Sequence, residues 1–251
     1  MLKAARTSMF PSVYLKLLLH FLIVFFNWRA WTSPHTASPT ERRSYVAKPK
    51  TRDYLPNFIS WYVPILMTTL NTVSVIELYL LLCTIFPNIT NTTAFSLLSV
   101  TSSTLIRLTH VPVSFALGSF LLFTGASIRA FCYYLLGKQF TFELALRKNH
   151  KLCTSGPYAF VRHPSYTGAV LGLFGVSLCM FGPGSWWAEC HIGDMVLGKA
   201  LALHWTMLMG LMLGLVFTRV GKEDLVLKEA FGSEWDEWAR KTPYGIIPFV
   251  Y

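Results

Sequence analysis

Charged side chains are scarce in this sequence, and acidic ones are scarcest: 14% of its 251 residues are charged, with only 12 Asp and Glu against 22 Lys and Arg. There is no Pro/Gly/Ser-rich linker between two cores and no internal repeat, so one small helical membrane domain is the simplest organisation. The five cysteines (Cys83, Cys132, Cys153, Cys179 and Cys190) form no CxxC pair, and His150, His163 and His191 have no ligand spacing. That pattern speaks against a zinc cluster and reads as reduced, buried thiols, so no metal is expected. The closing residues "IIPFVY" are neither a prenylation box nor a retrieval signal. Nor does the formal net charge of +10 mark a nucleic-acid face. The basic residues cluster between or beside apolar runs, a pattern suited to anionic lipid headgroups, so the expected partner is the bilayer.

What the sequence does have is long hydrophobic runs, several near or above the roughly 20 residues that cross a hydrocarbon core. The chain therefore reads as an all-α integral membrane protein with five or six transmembrane helices. Residues 13–31 form a first apolar segment, expected to be retained because no small-residue cleavage site follows it. Residues 32–57 are a polar loop, and 58–86 span, with a tilt or kink near Pro64. "PNITNTT" offers two glycan acceptor patterns, at Asn88 and Asn91, against the plainer reading of a polar turn. Residues 94–110 are apolar but hold Arg107 and several Ser and Thr, a poor span or an interfacial helix.

Residues 111–136 form a firm span, and 166–183 with 197–218 read as a helical hairpin around the turn "GPGSWWAECHIGD". The tail from Arg219 onward is amphipathic, with Leu225, Leu227, Phe231, Trp235 and Trp238 at roughly helical spacing, so a helix lying against the membrane face is expected there. The basic loops 137–164 and 219–251 should both be cytoplasmic, while 184–196 carries only Lys/Arg-free sequence. Five crossings satisfy the charge rule for the N-terminal loops better than six.

Two polar clusters then converge. The hairpin goes out and comes back, so "NHKLCTSGPYAFVRHPSYTG" before it and "TRVGKED" after it must be neighbours. Arg219 and Glu223, four apart in a helix, point the same way; alone, they would be a surface salt bridge contributing well under about 1 kcal/mol. His163 alone would be an interfacial histidine, and Pro157 and Pro164 simple helix breakers. Together with His150, Tyr158, Arg162 and Tyr166 they form a set of ionisable groups at membrane depth, where such groups face a cavity or one another.

The stretch "HKLCTSGPYAFVRHPSYTG" resembles the signature of the isoprenylcysteine carboxyl methyltransferases, and "RVGKEDLVLKEAFGSEWDEWARKTPYGIIP" resembles that family's closing segment. "IRAFCYYLLGKQFTF" is similar to the part leading into the signature, so the resemblance covers about residues 110–251, implying a catalytic membrane domain there after N-terminal membrane segments in 1–109. It implies S-adenosylmethionine as methyl donor, with contacts at His150, Lys151, Leu152 and Cys153, at Tyr158, at His163, Pro164, Ser165 and Tyr166, and at Glu223. The family's substrate-binding arginine falls on Arg219, and Arg162 is a second candidate for the chemistry. At Asp224 this sequence departs from the family's common second Glu, and a further cofactor contact near Phe142 to Ala145 has no clear counterpart.

The implied substrate is the C-terminal carboxylate of a prenylated protein cysteine, and the implied location is the endoplasmic reticulum with the site facing the cytoplasm. A carboxylate is ionised at neutral pH and needs no general base, so catalysis reduces to alignment and dehydration. Arg219 suits the carboxylate and Glu223 the donor's ammonium. Two other enzymes share related motifs: phospholipid amine methyltransferases, which need no cation for their substrate, and membrane sterol reductases, which need more spans. A scaffold whose polar clusters only brace the hairpin is the remaining alternative.

Overall fold

The computed structural model describes residues 2–32, 55–141 and 150–250, with side chains described from residue 11 and, after the gap, from residue 58. The polar loop at 33–54 and the uncertain contact near Phe142 to Ala145 lie outside the described residues. Among the described residues every regular element is helical. We number the α-helices α1 (Leu2–Trp31), α2 (Leu55–Ile85), α3 (Thr92–Leu97), α4 (Ser102–Leu108), α5 (Val113–Leu136), α6 (Pro164–Phe181), α7 (Trp186–Glu189), α8 (Val196–Phe231) and α9 (Ser233–Lys241).

Five segments are long and apolar enough to cross a membrane: Pro11–Trp31, Phe58–Ile85, Val113–Gln139, Pro164–Glu189 and Val196–Phe231. The ambiguous region at 94–110 resolves into α3 and α4, of 6 and 7 residues, which are too short to span. Each starts at its own N-terminal cap. Asn91 caps α3 by accepting from Ala94 N, and Thr101 and Thr104 form a reciprocal capping box on α4. This is an integral membrane protein of five helical spans among the described residues.

The tail differs in one respect from its sequence reading. The returning arm of the hairpin does not end near Arg219 but runs on as one helix of 36 residues to Phe231. No proline interrupts it, and the isolated glycines Gly198, Gly210, Gly214 and Gly221 are each tolerated within a helix. It ends where Gly232 takes φ +55°, a left-handed backbone that a residue without Cβ adopts readily. The amphipathic helix is therefore the short α9, with Trp238 buried and its charges outward.

The chain forms two compact units, each drawing on several of the long helices. One comprises Met1–Trp28, Ile65–Phe123 and Gly172–Leu208. Here α5 and α6 meet at glycines: a Cβ on Gly175 would lie 2.5 Å from the Gly118 carbonyl oxygen and 2.6 Å from Leu122 N, so only glycine permits this approach. The same unit buries an ionic cluster. Lys16 Nζ donates to the carbonyls of Leu108 and Gly184, and His20 Nε2 lies 2.6 Å from Glu77 Oε2. Glu77 also accepts from Trp186 N at 2.7 Å.

The second unit comprises Arg29–Pro64, Thr124–Leu171 and Met209–Tyr251. It contains all the candidate site residues. Trp238 of α9 packs with Tyr158 and Cys132 and donates from its indole to the Tyr158 carbonyl at 3.2 Å.

Candidate functional site

The site is built at the start of α6 and the C-terminal half of α8. Pro164 opens α6, where its missing N–H is no loss, so His163 stands immediately before the helix and Tyr166 in its first turn. On α8, Met212, Leu215, Val216, Arg219, Glu223, Val226 and Leu227 recur every three or four residues and share one face. That face changes character along its length, from apolar at Met212 to Val216, to ionic at Arg219 and Glu223, and back to apolar at Val226.

An open cavity lies against this face. His150, Lys151, Leu152, Cys153, Tyr158, Arg162, His163, Ser165, Tyr166, Arg219 and Glu223 all line it. Pro164 is the exception among the candidates: it is fully buried and forms the helix start rather than the wall. Across the His150 segment, Lys151 N donates to Gln139 Oε1 at 2.7 Å, and the His150 ring lies 6.0 Å from that of Phe231.

Within the cavity the ionic groups are ordered by contact. Tyr166 donates its hydroxyl to Glu223 Oε2 at 2.9 Å, Arg219 Nε lies 3.9 Å from the same oxygen, and His163 Nδ1 lies 3.8 Å from it. Arg219 is buried, with a side chain 6% exposed, whereas Glu223 is one-third exposed. The arrangement provides a fixed cation and a partly open carboxylate one helical turn apart.

Arg162 is committed elsewhere. Its guanidinium donates to both Asp224 oxygens, from Nη2 to Oδ2 at 3.1 Å and from Nε to Oδ1 and Oδ2 at 3.4 and 3.3 Å. Its Nη1 donates to the carbonyls of Thr242 and Pro243. Asp224 also accepts from His163 Nε2 at 2.9 Å. The backbone completes the clamp, since Arg162 N donates to Tyr244 O at 2.9 Å and His163 N to Gly245 O at 2.8 Å. Thr167 adds a bond to Ile246 O at 2.6 Å. The closing residues of the chain are thus strapped to the start of α6. In the wall itself, burial foremost and the neighbouring Cys132 second push the Tyr158 phenol well above its ordinary pKa, so it remains a neutral hydroxyl.

Several wall residues were not singled out from the sequence, among them Arg129, Trp31 and Ile59. Arg129, 5% exposed in α5, donates from Nε to Ala30 O at 2.8 Å and from Nη1 to Ser165 O at 3.0 Å and Ser165 Oγ at 3.2 Å. An arginine inside an apolar span was the available signal, because charges at that depth require partners. Trp31 and Ile59 lacked such a mark; two apolar residues in apolar spans look like any others. No group of three or more His, Cys, Asp or Glu suited to a metal ion occurs among the described residues.

Residues 117–188 match the isoprenylcysteine carboxyl methyltransferase (ICMT) family. Over 135 residues the chain is 28% identical to protein-S-isoprenylcysteine O-methyltransferase B of Arabidopsis thaliana, covering 53% of this chain and 58% of that protein. Over 125 residues it is 31% identical to protein-S-isoprenylcysteine O-methyltransferase of Schizosaccharomyces pombe, covering 49% and 44%. It is also 34% identical over 97 residues to the cobalt-zinc-cadmium resistance protein CzcN of Cupriavidus metallidurans, covering 39% and 36%. The chain spans about half the length of the curated relatives it matches. These similarities bear out the family resemblance read from the sequence. The family match takes in Arg162 to Tyr166 but ends before Arg219 and Glu223, so the roles of those two rest on the cavity itself.

Proposed function

We propose that this protein transfers a methyl group from S-adenosylmethionine to the C-terminal carboxylate of an isoprenylated cysteine, at the cytoplasmic face of the endoplasmic reticulum membrane. The observation that carries the reading is the single face of α8 on which apolar Met212, Leu215 and Val216 lead to the buried cation Arg219 and then to Glu223, all lining one cavity. A prenyl tail matches the apolar part, a carboxylate the arginine, and an ammonium the glutamate. A lipid amine substrate would gain nothing from Arg219.

The residues present fit the methyl donor. Glu223, oriented by Tyr166, offers a carboxylate to its ammonium group, and the backbone and side chains of His150 to Cys153 supply a second wall of the same cavity. When bound, the donor supplies a sulfonium-activated methyl carbon. The protein's own contribution is positional. Arg219 holds the substrate carboxylate through paired hydrogen bonds. That carboxylate has an unperturbed pKa of about 3.5 and is already ionised, so no residue need remove a proton. Alignment of the oxygen with the methyl carbon and exclusion of water then lower the barrier. Arg162, Asp224 and His163 act as a brace that fixes the first turn of α6 against the tail.

With two spans between them, the basic segments around 137–163 and 219–241 share a side of the membrane, and their Lys and Arg residues support a cytoplasmic orientation. The test is transfer of labelled methyl in membranes containing this chain, offered a small farnesylated cysteine and a phosphatidylethanolamine lipid together. Base-labile label on the prenylcysteine supports the reading. Label in the lipid alone selects an amine methyltransferase, and label in neither removes both.

A further inference from the structure

The cavity wall includes residues that the family match does not reach. Trp31, the last residue of α1, and Ile59, near the start of α2, line the same cavity as Met212 and Val216, whereas the matched residues begin at 117. The Trp31 ring is gripped from two directions. The Arg129 guanidinium carbon lies 5.5 Å from its centroid, and the ring of Tyr62, itself fully buried, stands 6.4 Å away. Tyr62 is in turn stacked on Phe58 at 4.8 Å.

The backbone beside the indole is held as well. The Ala30 carbonyl accepts from both Arg129 Nε and the Tyr133 hydroxyl, each at 2.8 Å. Because Arg129 also bonds Ser165, it ties the end of α1 to the first turn of α6. A large aromatic fixed by its backbone neighbour, a cation and a buried tyrosine does not yield to a longer ligand as a lone flexible side chain would. Its ring adds apolar surface to the same cavity that Ile59, Met212 and Val216 line.

We propose that Trp31, held by Arg129 and Tyr62, acts together with Ile59 to limit the length of isoprenoid chain the cavity accepts. The N-terminal helices would then set prenyl specificity while the matched part of the chain and α8 supply the chemistry. This inference rests on the prenylcysteine reading above.

The experiment compares kcat/KM for geranylgeranylated and farnesylated cysteine in the full-length wild type, Trp31→Ala and Ile59→Trp. Opening the wall with Trp31→Ala raises the geranylgeranyl-to-farnesyl ratio about tenfold, and filling it with Ile59→Trp lowers the ratio by a similar factor. Binding of S-adenosylmethionine, followed by thermal protection, reports whether each variant is folded. A merely structural role lowers both substrates together and leaves the ratio fixed. An unchanged ratio in a folded variant of an active enzyme overturns the length limit but leaves the methyltransferase reading standing. A wild type that methylates no prenylcysteine overturns both. If Trp31→Ala does not fold, Ile59→Trp decides alone.

Discussion

Arg219 and Arg162 are both arginines in a polar signature, yet their contacts give them different work. Arg162 is saturated by Asp224 and two carbonyls, while Arg219 stands on the cavity wall beside Glu223. Arg219→Ala is therefore expected to raise KM for a prenylcysteine by roughly 10- to 100-fold, the worth of hydrogen bonds to a charged group, with little change in cofactor affinity. Parallel steady-state kinetics and cofactor titration check this, and an equal loss of both affinities would contradict it. Asp224→Asn removes the charge that bridges Arg162 and His163. Because that pair is partly exposed, the expected loss is about 2 kcal/mol, between exposed and buried limits. It should appear as a lower unfolding midpoint in detergent, together with weaker cofactor binding as the first turn of α6 loosens.

At the scale of helices, much of the architecture was legible because length and hydropathy alone decide what crosses a bilayer. Composition narrowed the count to five or six spans and left 94–110 as a poor span or an interfacial helix; the short α3 and α4 decide for five. The extension of α8 past Arg219 was hidden, since a change from apolar to charged sequence looks like a boundary even when the backbone continues. In the site, His163, Tyr166 and Glu223 stood out as polar residues in an apolar setting, and the hairpin explained their meeting. Asp224's double contact and Trp31's position depend on packing that no local pattern encodes.

The ionic cluster of Lys16, His20 and Glu77 is the corresponding element-level risk. Lys16→Met strands two carbonyls and leaves Glu77 with a weaker counter-charge, a destabilisation of about 3 kcal/mol or more. Adding Glu77→Gln should recover part of that loss. Thermal unfolding of the single and double variants measures the coupling, and simple additivity would show that the two charges act independently.

For the whole molecule, the number of crossings fixes which segments share a side. Five spans put Asn88 and Asn91 opposite the basic segments, and so in the lumen if the site faces the cytoplasm. Asn91 caps α3 through its side-chain oxygen, leaving its amide nitrogen available. A glycosidase-sensitive mass shift, lost when Asn88→Gln and Asn91→Gln are combined, is the expected signature of that orientation. Protection of Asn88 and Asn91 from lumenal chemistry, with the basic segments reached from the lumen instead, would reverse it.

The continuity of α8 has one more consequence. At 1.5 Å per residue its 36 residues run about 54 Å, well beyond a hydrocarbon core of about 30 Å. The same rigid rod that is anchored by lipid along its first half carries Arg219 and Glu223 along its second. Bilayer thickness thereby becomes a variable of the proposed methyl transfer: a membrane too thin or too thick tilts the rod and shifts its ionic pair relative to the start of α6. Methyl transfer in reconstituted bilayers should pass through a maximum as acyl length is varied, and substrate affinity should follow the same curve, making the lipid environment a tuning element of the proposed reaction.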